Sequence, residues 1–196
     1  MIRKFMVAVF LVLLLAPMAG AVVIEGVTLP DKVMVAGEEL VLNGAGVRVK
    51  KILVVPLDVY VIGLYLKEKT SDAQAIIMSD ETMMLKIQIL TGLVNSEKFK
   101  QATLEGFQES TGGNTAPIQK EIELFLTAFS EEISKGDVFE IQYVKGKGTY
   151  VYKNGKSEPE VLVPGLNVKQ ALFGIWLGER TENYLQVLTK DLLGSN

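Results

Sequence analysis

The longest apolar block in the chain runs from Val47 to Leu66, interrupted by Arg48, Lys50, Lys51 and Asp58 and carrying Pro56 near its middle. Proline cannot donate to a strand ladder and is tolerated at a turn, so this block reads as two strands of a buried hairpin. Arg48 and Tyr60 lie six positions either side of Val54. A hairpin centred there sets them opposite each other, with Cβ atoms about 5 Å apart. In the second arm Asp58, Tyr60, Ile62, Leu64 and Leu66 share one face, while Val59, Val61, Gly63 and Tyr65 share the other. Both faces are apolar, which predicts a mid-sheet strand packed on each side, and Gly63 predicts a bulge or a close approach by another element.

The remaining pattern alternates between the strand and helix periods. Val23 to Leu29 reads as a short edge strand stopped by Pro30-Asp31, and Val33–Val35 and Glu39–Asn43 as strand pieces joined at Gly37. Ser71 caps a short helix ending at Met78, and Thr82 to Leu90 alternates as a half-buried strand. A helix spans Asn95 to Ser110 and stops at Thr111-Gly-Gly-Asn114. Pro117 opens a longer helix whose apolar face is Ile118, Ile122, Phe125, Leu126, Phe129 and Ile133, with its stop at Lys135-Gly136. Strands follow at Val138–Val144, Gly148–Lys153 and Lys156–Val163, the last two joined by Asn154-Gly155, a pair suited to a type I′ turn. Asn167 caps a helix through Trp176, and a last helix covers Thr181 to Leu193. Gly146-Lys-Gly148 lacks the following helix that a phosphate-binding loop needs and reads as a turn. The plan is α+β, a mainly antiparallel sheet with helices over one face.

A hydrophobic fraction of 48% in 196 residues is enough for a real core. Part of it belongs to the first segment. Arg3 and Lys4 precede an apolar run from Phe5 to Leu15, and Ala19-Gly-Ala21 offers small residues for a signal peptidase. Residues 1–21 therefore read as a signal peptide and residues 22–196 as one domain, periplasmic or secreted; the competing reading is an uncleaved anchor. The apolar run falls short of the roughly 20 residues of a membrane span, and no stable span is expected after cleavage. The chain has no cysteine, which rules out a lipid-modified N-terminus. Without Arg3 and Lys4, 18 basic residues face 23 acidic ones, a formal charge of about −5, and there is no basic stripe to attract a nucleic acid. With no histidine or cysteine, a zinc site of the usual type, a Ser/His/Asp triad and thiol chemistry are excluded. No metal or cofactor is expected, and any chemistry must run on Arg, Lys, Tyr, Asp or Glu.

Four blocks, Gly44-Ala-Gly-Val-Arg48, Asp58 to Leu66, Thr91-Gly92 followed by Ser96-Glu-Lys98, and Ala171 to Gly178, resemble the chalcone isomerase superfamily in order and spacing. The chain looks most similar to its bacterial chalcone isomerase-like group, exported and without established isomerase activity. The resemblance implies an open-faced β-sandwich, with a large antiparallel sheet, helices over it and a cleft between. The superfamily includes plant isomerases that close a chalcone into a flavanone and relatives that bind fatty acids without catalysis. Both carry an arginine after the Gly-x-Gly segment, and Arg48 occupies that position. The isomerase threonine on the next strand is Tyr60 here, as in the fatty-acid-binding relatives, which share its Asp-Val-Tyr context. Asn95, Ala102 and Ile175 stand where the isomerases have a tyrosine, an asparagine and a hydroxyl residue, so the resemblance implies no catalytic residue beyond Arg48.

Arginine offers a planar fork of donors that matches a carboxylate, and it stays charged when partly buried. Tyr60 would add a neutral donor and Lys50 would extend the positive potential. The expected ligand is a small-molecule carboxylate such as a fatty acid, held by Arg48 and Tyr60 with its tail along apolar side chains. Three other readings remain open: Arg48 as an internal ion pair with Asp58 or Glu39, an isomerase acting on chalcone- or flavonoid-like compounds, and an adaptor that merely keeps the fold. The oligomeric state is not legible.

Overall fold

The computed structural model describes residues 20–52, 54–179 and 181–195, with only the backbone of Ile52. The predicted signal segment therefore lies outside the described residues except for Gly20 and Ala21. Seven strands form one antiparallel sheet in chain order: β3 (Lys32–Val35), β4 (Glu38–Ile52), β5 (Val55–Leu66), β6 (Met83–Ile89), β7 (Val138–Val144), β8 (Gly148–Lys153) and β9 (Val161–Val163). Helix α1 (Ala73–Met78) fills the β5–β6 connection. Between β6 and β7 come α2 (Ser96–Ser110) and α3 (Gln119–Leu126), and α4 (Leu166–Leu177) and α5 (Asn183–Leu192) close the chain. This is the open antiparallel sheet with helices that the sequence predicts.

The two-residue period of β5 sorts its side chains to opposite cores. Tyr60, Ile62, Leu64 and Leu66 join the larger core beneath the helices, with Phe99, Phe107, Phe125, Phe129 and Phe139 at its centre. Val61 and Tyr65 join a smaller core on the other face. That face is covered by a separate hairpin of β1 (Ala21–Ile24) and β2 (Val27–Pro30), which buries Val27 and Leu29. The single edge strand expected over Val23 to Leu29 is thus two. Glu25 and Gly26 adopt φ of 48° and 76°, the left-handed pair that folds a tight hairpin. Gly63 meets the smaller core: a Cβ there would lie 3.2 Å from Leu29 Cδ1 and from Leu42 Cδ1.

Other expectations need correction. The helix opening at Pro117 is broken into a 3-10 turn at Ala116–Ile118, α3, and a second 3-10 turn at Thr127–Phe129. Thr127 Oγ1 donates to the Leu124 carbonyl at 2.7 Å, a local competitor of helical continuation, yet Phe129 and Ile133 still reach the core. The return strand is only Val161–Val163, because Pro159 cannot donate to a ladder and Lys156 pairs with Glu160 at 2.7 Å across the intervening loop. The Asn154-Gly155 turn itself forms, with φ of 53° and 69°. Asp72 caps α1 in place of Ser71, and α4 starts at Leu166 behind Gly165, leaving Asn167 inside its first turn.

Helix α4 is apolar nearly all round and is buried against α1, α2 and the sheet, as a helix without a polar face must be. Its one charge, Lys169, is fully buried. Lys169 Nζ donates to the carbonyls of Ile76 (2.8 Å), Ile77 (2.9 Å) and Ser79 (2.7 Å), capping the C-terminal end of α1.

Candidate functional site

Arg48 and Tyr60 are directly paired across β4 and β5, by a route the sequence did not suggest. The hairpin closes between Ile52 and Val55, so Val49 pairs with Asp58, and a register shift then restores Arg48 opposite Tyr60. Val59 is the extra residue of this bulge on β5. A bulge turns consecutive side chains to one side, and Leu57, Val59 and Tyr60 all face the helices while Asp58 is exposed. This overturns the expected alternation, which put Asp58 with Tyr60 and Val59 on the opposite face. Pro56 lies within β5 opposite Lys51, past the turn it was expected to occupy.

The Gly-rich segment ahead of Arg48 lies within β4 and admits a helix. A Cβ on Gly44 would fall 2.1 Å from the Asp191 carbonyl oxygen, and one on Gly46 2.9 Å from Leu188 Cδ1. Asn43 Nδ2 fixes the same helix end by donating to the Leu192 carbonyl at 2.7 Å. Gly44→Ala is expected to destabilise the fold by about 1–3 kcal/mol, since the obstacle is backbone and α5 must move as a whole. Thermal unfolding would show it; an unchanged midpoint would mean that α5 is not held by this contact.

With α5 laid along β4, Glu182 at its N-terminal cap position meets Arg48. The pair is bidentate: Arg48 Nη1 to Glu182 Oε1 at 3.0 Å and Nη2 to Oε2 at 2.9 Å, with Nη1 also donating to the Val49 carbonyl. Neither acid expected as partner takes part, because Glu39 pairs with Lys32 and Asp58 points to solvent. Arg48 is the more enclosed of the two, its side chain 14% exposed against 43% for Glu182. Tyr60 is buried, and its hydroxyl accepts from Trp176 Nε1 at 2.9 Å. Burial pushes the Tyr60 phenol up, against the opposing pull of the Trp176 N–H and the Arg48 charge. It therefore stays a neutral donor at ordinary pH.

Arg48, Tyr60, Trp176 and Glu182 border a cleft of about 840 Å³ between the β4–β5 arm and α2, closed at one end by α4 and α5. A volume in this range suits a small organic ligand. Leu57, Val59, Val94, Phe99, Ala102, Ile175 and Leu185 give it apolar walls; Lys50 and Lys98 also line it, the Lys98 ammonium donating to the Leu93 carbonyl at 3.0 Å, with Glu97, Glu105 and Glu109 along α2. Asn95 is spent locally, capping α2 by accepting from the Lys98 amide at 3.0 Å. Ala102 and Ile175 offer only carbon. Among the described residues no cluster of three or more acidic, histidine or cysteine side chains could hold a metal ion. The site can hold an anion at one end and an alkyl or ring system along its length.

No curated protein matches the chain in sequence. Among solved structures, the Arabidopsis thaliana fatty-acid binding protein superposes with a TM-score of 0.70 at 18% identity, covering 89% of this chain and 96% of that one. At that identity the likeness speaks for the fold. The family model described as chalcone isomerase-like matches residues 21–194, nearly the whole described fold, and the chain belongs to the chalcone isomerase-like family.

Proposed function

We propose that this protein is an exported, non-catalytic binder of fatty acids or similar amphipathic carboxylates, with the head on Arg48 and Tyr60 and the tail in the apolar cleft. The observation that carries this reading is the bidentate grip of Arg48 on Glu182, which shows a carboxylate already seated on the guanidinium at the cleft wall. A ligand carboxylate of the same geometry would take that seat while Glu182, the more exposed partner, turns to solvent. The fold shared with a fatty-acid binding protein supports the same reading. Isomerase chemistry finds less support, since Tyr60 is held neutral and Ala102 and Ile175 have no polar group to offer.

Native mass spectrometry of the protein purified from its own host tests this, with one long-chain carboxylic acid per chain as the expected adduct. A co-purifying lipid without an acidic head, or chalcone cyclisation faster than the spontaneous rate, would replace the proposal. Glu182→Gln should tighten binding by about fivefold, because a half-exposed ion pair competing for Arg48 is worth about 1 kcal/mol at most. Equal affinities for wild type and variant would mean that the ligand does not use the Arg48 fork.

A further inference from the structure

The β4–β5 arm outreaches its sheet. Pairing of β5 with β6 ends at Tyr60 opposite Ile89, and pairing of β3 with β4 ends at Lys32 opposite Val41. Beyond them, Val49–Ile52 and Val55–Asp58 pair only with each other. An isolated two-stranded ribbon is marginal in water and should carry a polar tip. This tip is apolar instead: Val54 is 80% exposed and Val55 62%. Lys50 and Lys51 are exposed on successive, hence opposite, faces of the arm, and neither has an acidic partner among the described residues. Asp58, at the base of the arm, is the only acid on it. Leu93, 57% exposed, stands on the other lip of the cleft, which Lys50 and Leu57 also line.

Single exposed apolar residues need no explanation, but adjacent ones at the end of a free-standing arm, flanked by cations, do. We infer that the tip of the β4–β5 arm docks the mouth of the cleft onto an anionic lipid bilayer, Val54 and Val55 entering the interface and Lys50 and Lys51 meeting acidic headgroups. An apolar tip with flanking lysines fits that surface better than a protein partner, because it needs no shape match and both faces of the arm carry the charge. The docking stands independently of the ligand; that the arm passes fatty acids between bilayer and cleft rests on the function proposed above.

Flotation with phosphatidylcholine vesicles, with and without phosphatidylglycerol, tests the inference on the exported protein with its N-terminus verified by mass. The wild type should float with the anionic vesicles and much less with neutral ones. Val54→Asp with Val55→Asp should reduce that binding at least tenfold without altering the melting curve, since both side chains face solvent. Lys50→Gln and Lys51→Gln should each reduce it by about fivefold, in a salt-sensitive way. Arg48→Gln should float like the wild type. Failure of the wild type to float, equal flotation of the Asp variant, or equal binding to neutral vesicles would overturn the inference. If fatty-acid affinity persisted in any of those cases, the proposed function would stand and only the docking would fall.

Discussion

Arg48→Gln is expected to weaken fatty-acid binding about a hundredfold while leaving the fold intact. Two charge-assisted hydrogen bonds to a carboxylate are lost, each worth about 1.5–3 kcal/mol, and glutamine returns a single neutral one. Arg48→Lys should recover only part, because an ammonium presents a point charge where the site offers a planar fork. Stability should change little, since Glu182 is exposed enough to regain its water when its partner goes. The reporter is built in: Trp176 is the chain's only tryptophan, lies on the cleft wall and hydrogen-bonds Tyr60, so its emission should titrate with ligand. An Arg48→Gln protein that binds as well as the wild type would show that the carboxylate sits elsewhere.

Lys169→Met should lower the unfolding midpoint by about 5–15 °C. The Ile77 and Ser79 carbonyls at the end of α1 lose their donor, while the Ile76 carbonyl keeps the Ser79 hydroxyl at 3.1 Å, and each buried acceptor left unpaired costs about 1–3 kcal/mol, partly offset by removal of a desolvated charge. The same lysine gives a pH signature. Burial holds its ammonium down, to about 8, against an ordinary value of 10.5. Between those values the unfolded chain binds the proton and the native one does not, so this group makes stability rise with pH from about 8 towards 10. Tyr60, Tyr65 and Tyr143 are all raised by burial and stay protonated in the native state while the unfolded chain ionises, so stability falls again above about 10. Melting curves across this range should show the rise in the wild type and lose it in Lys169→Met. A flat wild-type profile would place the Lys169 proton differently.

Local patterning made much of the sheet legible. Val138–Val144 and Gly148–Lys153 match their predicted bounds because strict alternation and flanking turn residues leave little choice. The apposition of Arg48 and Tyr60 was legible from their spacing, although the chain achieves it with an earlier turn and a bulge that no residue type announces. What escaped depends on distant contacts. Glu182 lies 134 positions from Arg48, and Trp176 lies 116 from Tyr60, so neither partner could be read from periodicity. The Gly-x-Gly segment stands out in the sequence only by its position before Arg48, yet its physical task is to let α5 lie on β4 and so deliver Glu182. Lys169 is illegible for a related reason: a lysine in a helix ordinarily faces solvent, and the carbonyls ending α1 together with the Tyr143 and Phe173 rings make its burial tolerable.

The proposed clamp treats Arg48 and Tyr60 as the holders of the head and the cleft as the holder of the tail. Calorimetric titration of the purified protein with saturated fatty acids of increasing chain length separates these parts in one experiment. Binding should be one to one, and affinity should rise about fourfold for each added CH₂, at about 0.8 kcal/mol apiece, until the cleft is filled. No binding at any length, or an affinity indifferent to length, would contradict the account.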